Sequence, residues 1–237
     1  MKVLVIIPAY NEEKNLESTI ANLKKSIEKS KYNIDYIIIN DGSTDNTLEL
    51  CKKNNFNVIN LINNLGIGGA VQTGYKYAKE NDYDIAIQFD GDGQHNAEYI
   101  DKLIEKIEED NDLVIGSRFI ENIEGFKSTK MRRIGIIFLS KLIKICTRKN
   151  ITDPTSGFRA CNKNIIDMFS KDYPYDYPEP DTVVKVIKKG CQVKEIPTKM
   201  NERVNGKSSI NMFKSIYYMI KVSLSIIISS WSSKEVK

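Results

Sequence analysis

Histidine is nearly absent from this chain: His95 is the only one among 237 residues. The four cysteines, Cys51, Cys146, Cys161 and Cys191, are scattered and form no CxxC pair. A Cys/His zinc centre is thereby excluded, and free thiols in a reducing compartment are expected. Long apolar runs are missing as well. The last uncharged run, Val222–Ser233, is too short to cross a bilayer, and Lys214 and Lys221 interrupt the segment before it. At the other end, "MKVLVII" carries one lysine and stops at Pro8 without a small-residue cleavage site, so no secretory leader is expected. There is no repeat, no low-complexity segment and no long linker. What remains, 41% hydrophobic and 28% charged residues, is a globular composition with enough apolar material for a sizeable core.

Charge is unevenly spread. Residues 1–124 hold 13 Lys/Arg and 22 Asp/Glu, while residues 125–237 hold 22 Lys/Arg and 9 Asp/Glu. An acidic half can hold a cation, and a basic half can hold phosphates or an anionic membrane surface. Residues 125–152 alone carry eight Lys/Arg and no acid around "IGIIFLSKLIKIC".

The first half alternates strand and helix. Apolar runs at Val3–Ile7, Tyr36–Ile39, Val58–Leu61, Ile85–Phe89 and Leu113–Ile115 predict strands. Between them, Leu16, Ile20, Leu23 and Ile27 share one helical face, residues 45–53 form a helix capped by Ser43 or Asp45, "NNLGIGGAVQTG" opens another, and Ile100, Leu103, Ile104 and Ile107 mark a fourth. The second half predicts a helix over 131–148, a short strand at "SGFRAC", a helix over 180–189 closed by Gly190, a strand over 192–196 and a last helix from about Ile210 to Trp231. The pattern is α/β: a mainly parallel, Rossmann-like sheet with helices on both faces and a less regular second half. Such sheets bind ligands beyond the carboxyl ends of their strands, where the polar clusters of this chain follow the apolar runs.

In "AIQFDGDGQH", Asp90 and Asp92 are two residues apart at a strand end, so both carboxylates can face one point. Gly91 and Gly93 let the backbone turn and a ligand approach. A hard cation such as Mg²⁺ or Mn²⁺ takes oxygen ligands and shares carboxylates with substrate phosphates, and Gln94 adds an amide oxygen. In "IIPAYNEEKN", Pro8 ends a strand and Tyr10, Asn11 and Glu12 follow. An aromatic face and a carboxylate there suit a base and a ribose hydroxyl, while Asn11 or Glu12 could equally cap the next helix. Asp41 repeats the arrangement on the second strand. Gly66-x-Gly68 resembles half of a dinucleotide fingerprint, but Val71 stands at the third glycine position and the segment follows the third strand. A closely packed helix N-terminus near the substrate explains these glycines more simply.

Taken together, "PAYNEE", "NDGSTDNT", "NLGIGGAVQTG", "FDGDGQH", "GSR", "DPTSGFRA" and "ERVNGKSSI" resemble, in order, the motifs of family 2 glycosyltransferases, most of all the branch of dolichyl- and polyprenyl-phosphate mannose and glucose synthases. The likeness runs from about Val3 to Ile210. It implies a GT-A fold over residues 1–209, with a nucleotide-sugar and metal half (1–124), an acceptor-side half (125–209) and a C-terminal amphipathic helix and tail (210–237). It also implies a nucleotide-sugar donor, a divalent cation (Mg or Mn) and inversion at the anomeric carbon. By motif, Pro8, Tyr10, Glu12, Asp41, Gly69, Asp90, Gly91, Asp92, Arg118, Arg203 and Lys207 would meet the donor. Asp90, Asp92 and Gln94 would hold the metal. Arg118, Arg132 and Arg133 would face an acceptor phosphate. Many branch members carry transmembrane helices at the C-terminus; this sequence resembles the short form without them.

The acceptor decides what else is needed. A lipid phosphate is already anionic and needs arginines to position it. A sugar hydroxyl needs a carboxylate to take its proton, and Asp153 of "TDPTSG" and Glu179 or Asp181 of "YPEPD" are candidates, alongside plain turn or N-cap roles for each. Arg203 is a further catalytic candidate for stabilising the leaving diphosphate. Three readings follow: transfer to a polyprenyl-phosphate or lipid-linked acceptor, transfer to a soluble or polysaccharide hydroxyl, and an inactive nucleotide-sugar-binding subunit. The expected setting is cytoplasmic, at the inner face of the plasma membrane. The basic 125–152 segment would meet an anionic membrane surface, a membrane partner protein or a second copy of the chain, or pack as an ordinary core helix; no nucleic acid is expected. "ERVNGKSS" is expected to close over the donor as a mobile loop hinged at Gly206.

Overall fold

A computed structural model describes residues 1–120, 130–201 and 212–232. Among them, a seven-stranded sheet has the order β3-β2-β1-β4-β6-β5-β7. The strands are β1 (Lys2–Ala9), β2 (Asn33–Asn40), β3 (Val58–Asn60), β4 (Ile85–Gln88), β5 (Leu113–Ser117), β6 (Arg159–Asn162) and β7 (Val193–Pro197). The helices are α1 (Leu16–Lys29), α2 (Thr47–Lys53), α3 (Gly66–Glu80), α4 (Ile100–Glu108), α5 (Lys130–Thr147), α6 (Lys163–Lys171), α7 (Pro178–Lys188) and α8 (Met212–Ser232).

Strand β1 is apolar from Val3 onward because both its faces are covered. Val3, Val5, Ile7 and Ala9 join the core formed with α1, α2 and α4. Leu4 and Ile6 point the other way, into the core with α3, α5, α6, α7 and α8. This period of two on a doubly buried strand produces the continuous run seen in the sequence. All pairings are parallel except those of β6, which runs antiparallel to both β4 and β5. The sheet draws β1–β5 from the acidic half and β6 and β7 from the basic half, so the two halves share one sheet.

Helix α3 shows why its glycines are there. A Cβ on Gly68 would lie 2.0 Å from the Pro174 carbonyl oxygen, and one on Gly74 would lie 2.2 Å from Ile6 Cγ2. The Gly68 N–H donates to the Tyr175 carbonyl at 3.0 Å. Close packing of the helix against the sheet and the 172–177 loop, not a dinucleotide, is what those positions serve. Helix α6 was not read from the sequence, although Ile165, Ile166 and Phe169 are buried along it and the Asn162 side chain accepts from the Ile165 N–H. The four cysteines are free.

Candidate active site

Strands β1, β2, β4, β5 and β7 run parallel and finish at one edge of the sheet. Because β6 is antiparallel, its beginning lies at that same edge, with Arg159 opposite Gln88 and Ile115. The segment 153–158 is thus delivered to the ends of β4 and β5.

The loop after β4 carries Asp90 and Asp92. The Asp92 Oδ1 accepts from the Gln94 N–H at 3.0 Å, which fixes the turn. A Cβ on Gly91 would lie 3.2 Å from the Pro8 carbonyl oxygen, so the loop packs against the end of β1. Asp90 lies in a cradle. Gln88 Nε2 approaches its Oδ1 at 3.4 Å, and His95 Nε2 lies 3.5 Å from its Oδ2. A Cβ on Gly157 would come within 3.1 and 3.2 Å of the two carboxylate oxygens. His95 is buried, and burial lowers its pKa from the ordinary 6.5 to about 4, so the ring is neutral at neutral pH.

No group of three or more His, Cys, Asp or Glu suited to a metal occurs among the described residues. Two carboxylates at a strand end, with glycine where a side chain would crowd them, nevertheless fit a cation completed by phosphate oxygens and water. The buried Gln88 Oε1 beside them has no hydrogen-bond partner.

The ends of β1 and β2 are joined by the Asp41 N–H donating to the Ala9 carbonyl at 2.9 Å. Asn11, in the left-handed region at φ 57°, accepts from the Thr44 N–H at 2.8 Å, and its own N–H donates to Ser43 Oγ at 3.0 Å. Asp45, rather than Ser43, accepts from the Thr47 N–H at the start of α2. Glu12 Oε2 accepts from Asn15 Nδ2 at 2.7 Å, tying it to the turn before α1. Asp41 is buried and accepts from the Leu65 N–H at 2.7 Å. Burial pushes its carboxyl pKa up, and the Leu65 and Gly66 N–H groups pull it back. Asp41 therefore holds the start of α3. Tyr10 is exposed beside Pro8, and Gly69 is buried in the first turn of α3.

Beyond the end of β5 the structure pairs two residues that the sequence put in separate roles. Arg118 Nε and Nη2 donate to the two oxygens of Asp153, each at 2.6 Å. The Arg118 N–H adds a third bond at 3.1 Å, and Nη2 also donates to Thr155 Oγ1 at 2.9 Å. Neither side chain is open: Arg118 is 7% exposed and Asp153 0%. The carboxylate offered as a base and the guanidinium offered as a phosphate ligand are here engaged with each other in one buried bidentate pair. Glu195 on β7 supports it from behind, accepting from the Thr152 and Asp153 N–H groups at 2.7 and 2.8 Å. Asp181 also has a structural role, accepting from Ser225 and Ser229 of α8.

Arg132 and Arg133 lie in the first turn of α5. The Arg133 guanidinium lies 3.6 Å from the Phe119 ring centroid, and Arg132 is in electrostatic range of Arg118, Asp153 and Asp92. Glu179, in the first turn of α7, has its carboxyl pKa raised by burial and pulled back by the charge of Arg159, with Asp90 and Gln88 beside it. Arg159 is fully buried and donates to the carbonyls of Ser156 and Glu179 and to Thr182 Oγ1. It thereby links the start of β6 to α7. Arg203, Lys207 and the whole "ERVNGKSS" closure expectation lie outside the described residues.

Sequence reasoning passed over four residues that shape this site: Gln88, His95, Arg159 and Glu195. A signal was present for two of them, since a glutamine ending an apolar strand and an arginine inside "SGFRAC" are polar groups bound for burial.

The family model Glycosyl transferase family 2 matches residues 4–169. The chain is 33% identical, over 83% of its length and 84% of the relative's, to a UDP-N-acetylglucosamine–dolichyl-phosphate N-acetylglucosaminyltransferase of Methanococcus voltae. It is 28% identical to an undecaprenyl-phosphate mannosyltransferase of Micrococcus luteus, covering 89% of this chain and 88% of that one. The fold is shared with glucosyl-3-phosphoglycerate synthase of Mycobacterium tuberculosis, solved with Mn²⁺, UDP-glucose and phosphoglyceric acid. That match has a TM-score of 0.67 at 14% identity, over 97% of this chain and 80% of that one.

Proposed function

The chain belongs to glycosyl transferase family 2, and on that premise we propose that it moves a sugar from a nucleoside-diphosphate donor to a polyprenyl-phosphate acceptor with inversion at the anomeric carbon. The relatives named for dolichyl and undecaprenyl phosphate support the acceptor class. The observation that carries the reading is the Arg118–Asp153 pair. It engages one candidate base with Arg118 and leaves Arg132 and Arg133, in the first turn of α5, as the cations beside it, Arg132 in electrostatic range of Asp92. An acceptor phosphate needs such cations and no base.

Asp90 and Asp92, with Gln94 on the same loop, would hold a divalent cation with the donor diphosphate, as Mn²⁺ accompanies UDP-glucose in the mycobacterial synthase that shares the fold. When bound, the cation would neutralise charge on the departing diphosphate. Pro8, Tyr10, Glu12 and Asp41 would line the nucleoside, and Arg203 and Lys207 would steady the diphosphate. The arginines at the start of α5 would orient the acceptor phosphate on the opposite face of the sugar.

A second reading has one observation in its favour. Glu179 is a carboxylate beside Asp90 whose pKa is raised, as a base for a hydroxyl acceptor requires. A transfer assay separates the two. Purified protein with Mn²⁺ and a panel of labelled UDP- and GDP-sugars should label polyprenyl phosphate, and Glu179→Gln should retain most of that activity. Label found only on free glycans, with Glu179→Gln inactive, would establish the hydroxyl reading instead.

We further propose peripheral attachment to an anionic membrane face. No helix among the described residues is long and apolar enough to cross a membrane. Yet α8 exposes Ile220, Leu224, Ile228 and Trp231 along one stripe, the last 80% exposed. Helix α5 packs on α8. It buries Ile136, Leu139 and Ile143, and it exposes Ile134, Phe138 and Ile145 among its basic residues. It is thus a core helix on one face and an apolar, cationic surface on the other. Each such charge near an anionic leaflet contributes about 1 kcal/mol, and salt weakens the attraction. The protein should co-sediment with phosphatidylserine-containing vesicles at low salt, far less with neutral ones, and release as salt rises. Ile228→Ser with Trp231→Ser should lower the bound fraction several-fold. Wild-type protein that ignores anionic vesicles would remove this attachment from the account.

A further inference from the structure

We propose that His95, the one histidine of the chain, is a positioning residue that sets the Asp90 carboxylate for the divalent cation. The inference rests on the reading of Asp90 as a metal ligand. The Asp90 N–H donates to His95 Nδ1 at 3.0 Å. A ring nitrogen that accepts has no proton, so in the neutral imidazole the proton sits on Nε2. Nε2 lies 3.5 Å from Oδ2 of the same aspartate. The ring therefore anchors the Asp90 backbone through Nδ1 and lies against the Asp90 carboxylate, which limits the positions that carboxylate can take.

The ring is itself held. It stacks on Phe158 with centroids 4.9 Å apart and planes 19° apart, and it meets Phe89 edge-on at 5.5 Å. Phe158 follows Gly157, whose missing side chain leaves the space that the Asp90 carboxylate fills. The start of β6 thus supports the imidazole with one residue and admits the carboxylate with the next. From the other side, His95 bridges to Met200, and the Asn201 N–H donates to the Gln94 carbonyl at 2.8 Å. A histidine kept only to fill the core would not need its Nδ1 on the Asp90 N–H and its ring edge against the Asp90 carboxylate. Outer partners that orient a metal ligand typically change metal affinity by 10–100-fold when removed.

Two variants test this. His95→Phe keeps the aromatic stack and removes both nitrogens. His95→Asn keeps an acceptor for the Asp90 N–H and removes the Nε2–H. A cavity of about 390 Å³ lined by Thr19, Asn22, Lys25 and Asn96 opens behind the ring, so the smaller side chain need not leave a dry void. The readouts are Mn²⁺ binding by electron paramagnetic resonance and calorimetric UDP binding with Mn²⁺ or with chelator. His95→Phe should raise the Mn²⁺ midpoint at least tenfold, leave metal-free UDP affinity unchanged and leave the circular dichroism spectrum native. His95→Asn should recover part of the loss. If His95→Phe does not fold, a several-fold weaker Mn²⁺ midpoint in His95→Asn still supports the role. Either folded variant binding Mn²⁺ like the wild type overturns it. A wild type whose UDP binding ignores Mn²⁺ overturns the metal reading of Asp90 and this role with it; a metal-dependent wild type with unaffected variants overturns this role alone.

Discussion

Asp92→Ala should lower nucleoside-diphosphate affinity in saturating Mn²⁺ by a hundredfold or more, down to the level measured with chelator, and added Mn²⁺ should not restore it. A hundredfold is about 2.7 kcal/mol, within the several kcal/mol that a cation supplies to a diphosphate. The substitution does two things. It removes one of the two carboxylates at the end of β4, and it removes the acceptor of the Gln94 N–H. Asp92→Asn separates them, because the amide oxygen can keep the turn while the charge is lost. Both variants should lose the metal dependence, measured by titration calorimetry with UDP or GDP. An asparagine variant that binds as the wild type does would show that the turn, not the charge, is what the donor needs. Asp90→Ala should lose affinity to a similar degree, since the cradle of Gln88, His95 and Gly157 then surrounds no carboxylate.

The second large effect is on stability. Asp153→Ala should destabilise the fold by about 3–5 kcal/mol, the usual cost of stripping one partner from a buried ion pair. The alanine would leave the Arg118 guanidinium, 7% exposed, without either of its carboxylate contacts, and the Arg118 N–H without its acceptor. Much of the cost is the stranded charge, so Asp153→Ala combined with Arg118→Met should be more stable than Asp153→Ala alone. Urea denaturation midpoints of the three variants and the wild type measure this. A base acting on substrate predicts the opposite pattern: Asp153→Ala as stable as the wild type, and inactive. That result would return Asp153 to the reacting centre and Arg118 to the role of an open phosphate ligand.

The parts of the fold legible in the sequence are those with a local physical signature. Val3–Ile7 is continuously apolar because both faces of a central strand are covered, and Ile100, Leu103, Ile104 and Ile107 repeat with the helical period because one face of α4 is covered. Asp90 and Asp92 could be placed at a strand end for the same reason. The direction of β6 could not be read: "RACN" is four residues long, and nothing in four residues distinguishes a parallel from an antiparallel neighbour. Helix α6 was missed because its apolar positions are few and follow a strand directly, although Asn162 caps it.

By itself, the sequence determined which residues reach the binding edge. Strand and helix periods are properties of consecutive residues, and the polar residue after an apolar strand must lie at that strand's end. Tertiary structure alone decided what each charge does there. Asp153 and Arg118 meet across two different loops, and Glu195 braces them from a third segment. His95, which the sequence offers only as a scarcity, finds Asp90 beside it and Phe158, just before the neighbouring strand β6, stacked on its ring. Whether a carboxylate is spent on a neighbour or left for a cation depends on which distant segment covers it, because burial and pairing set both its charge and its reach.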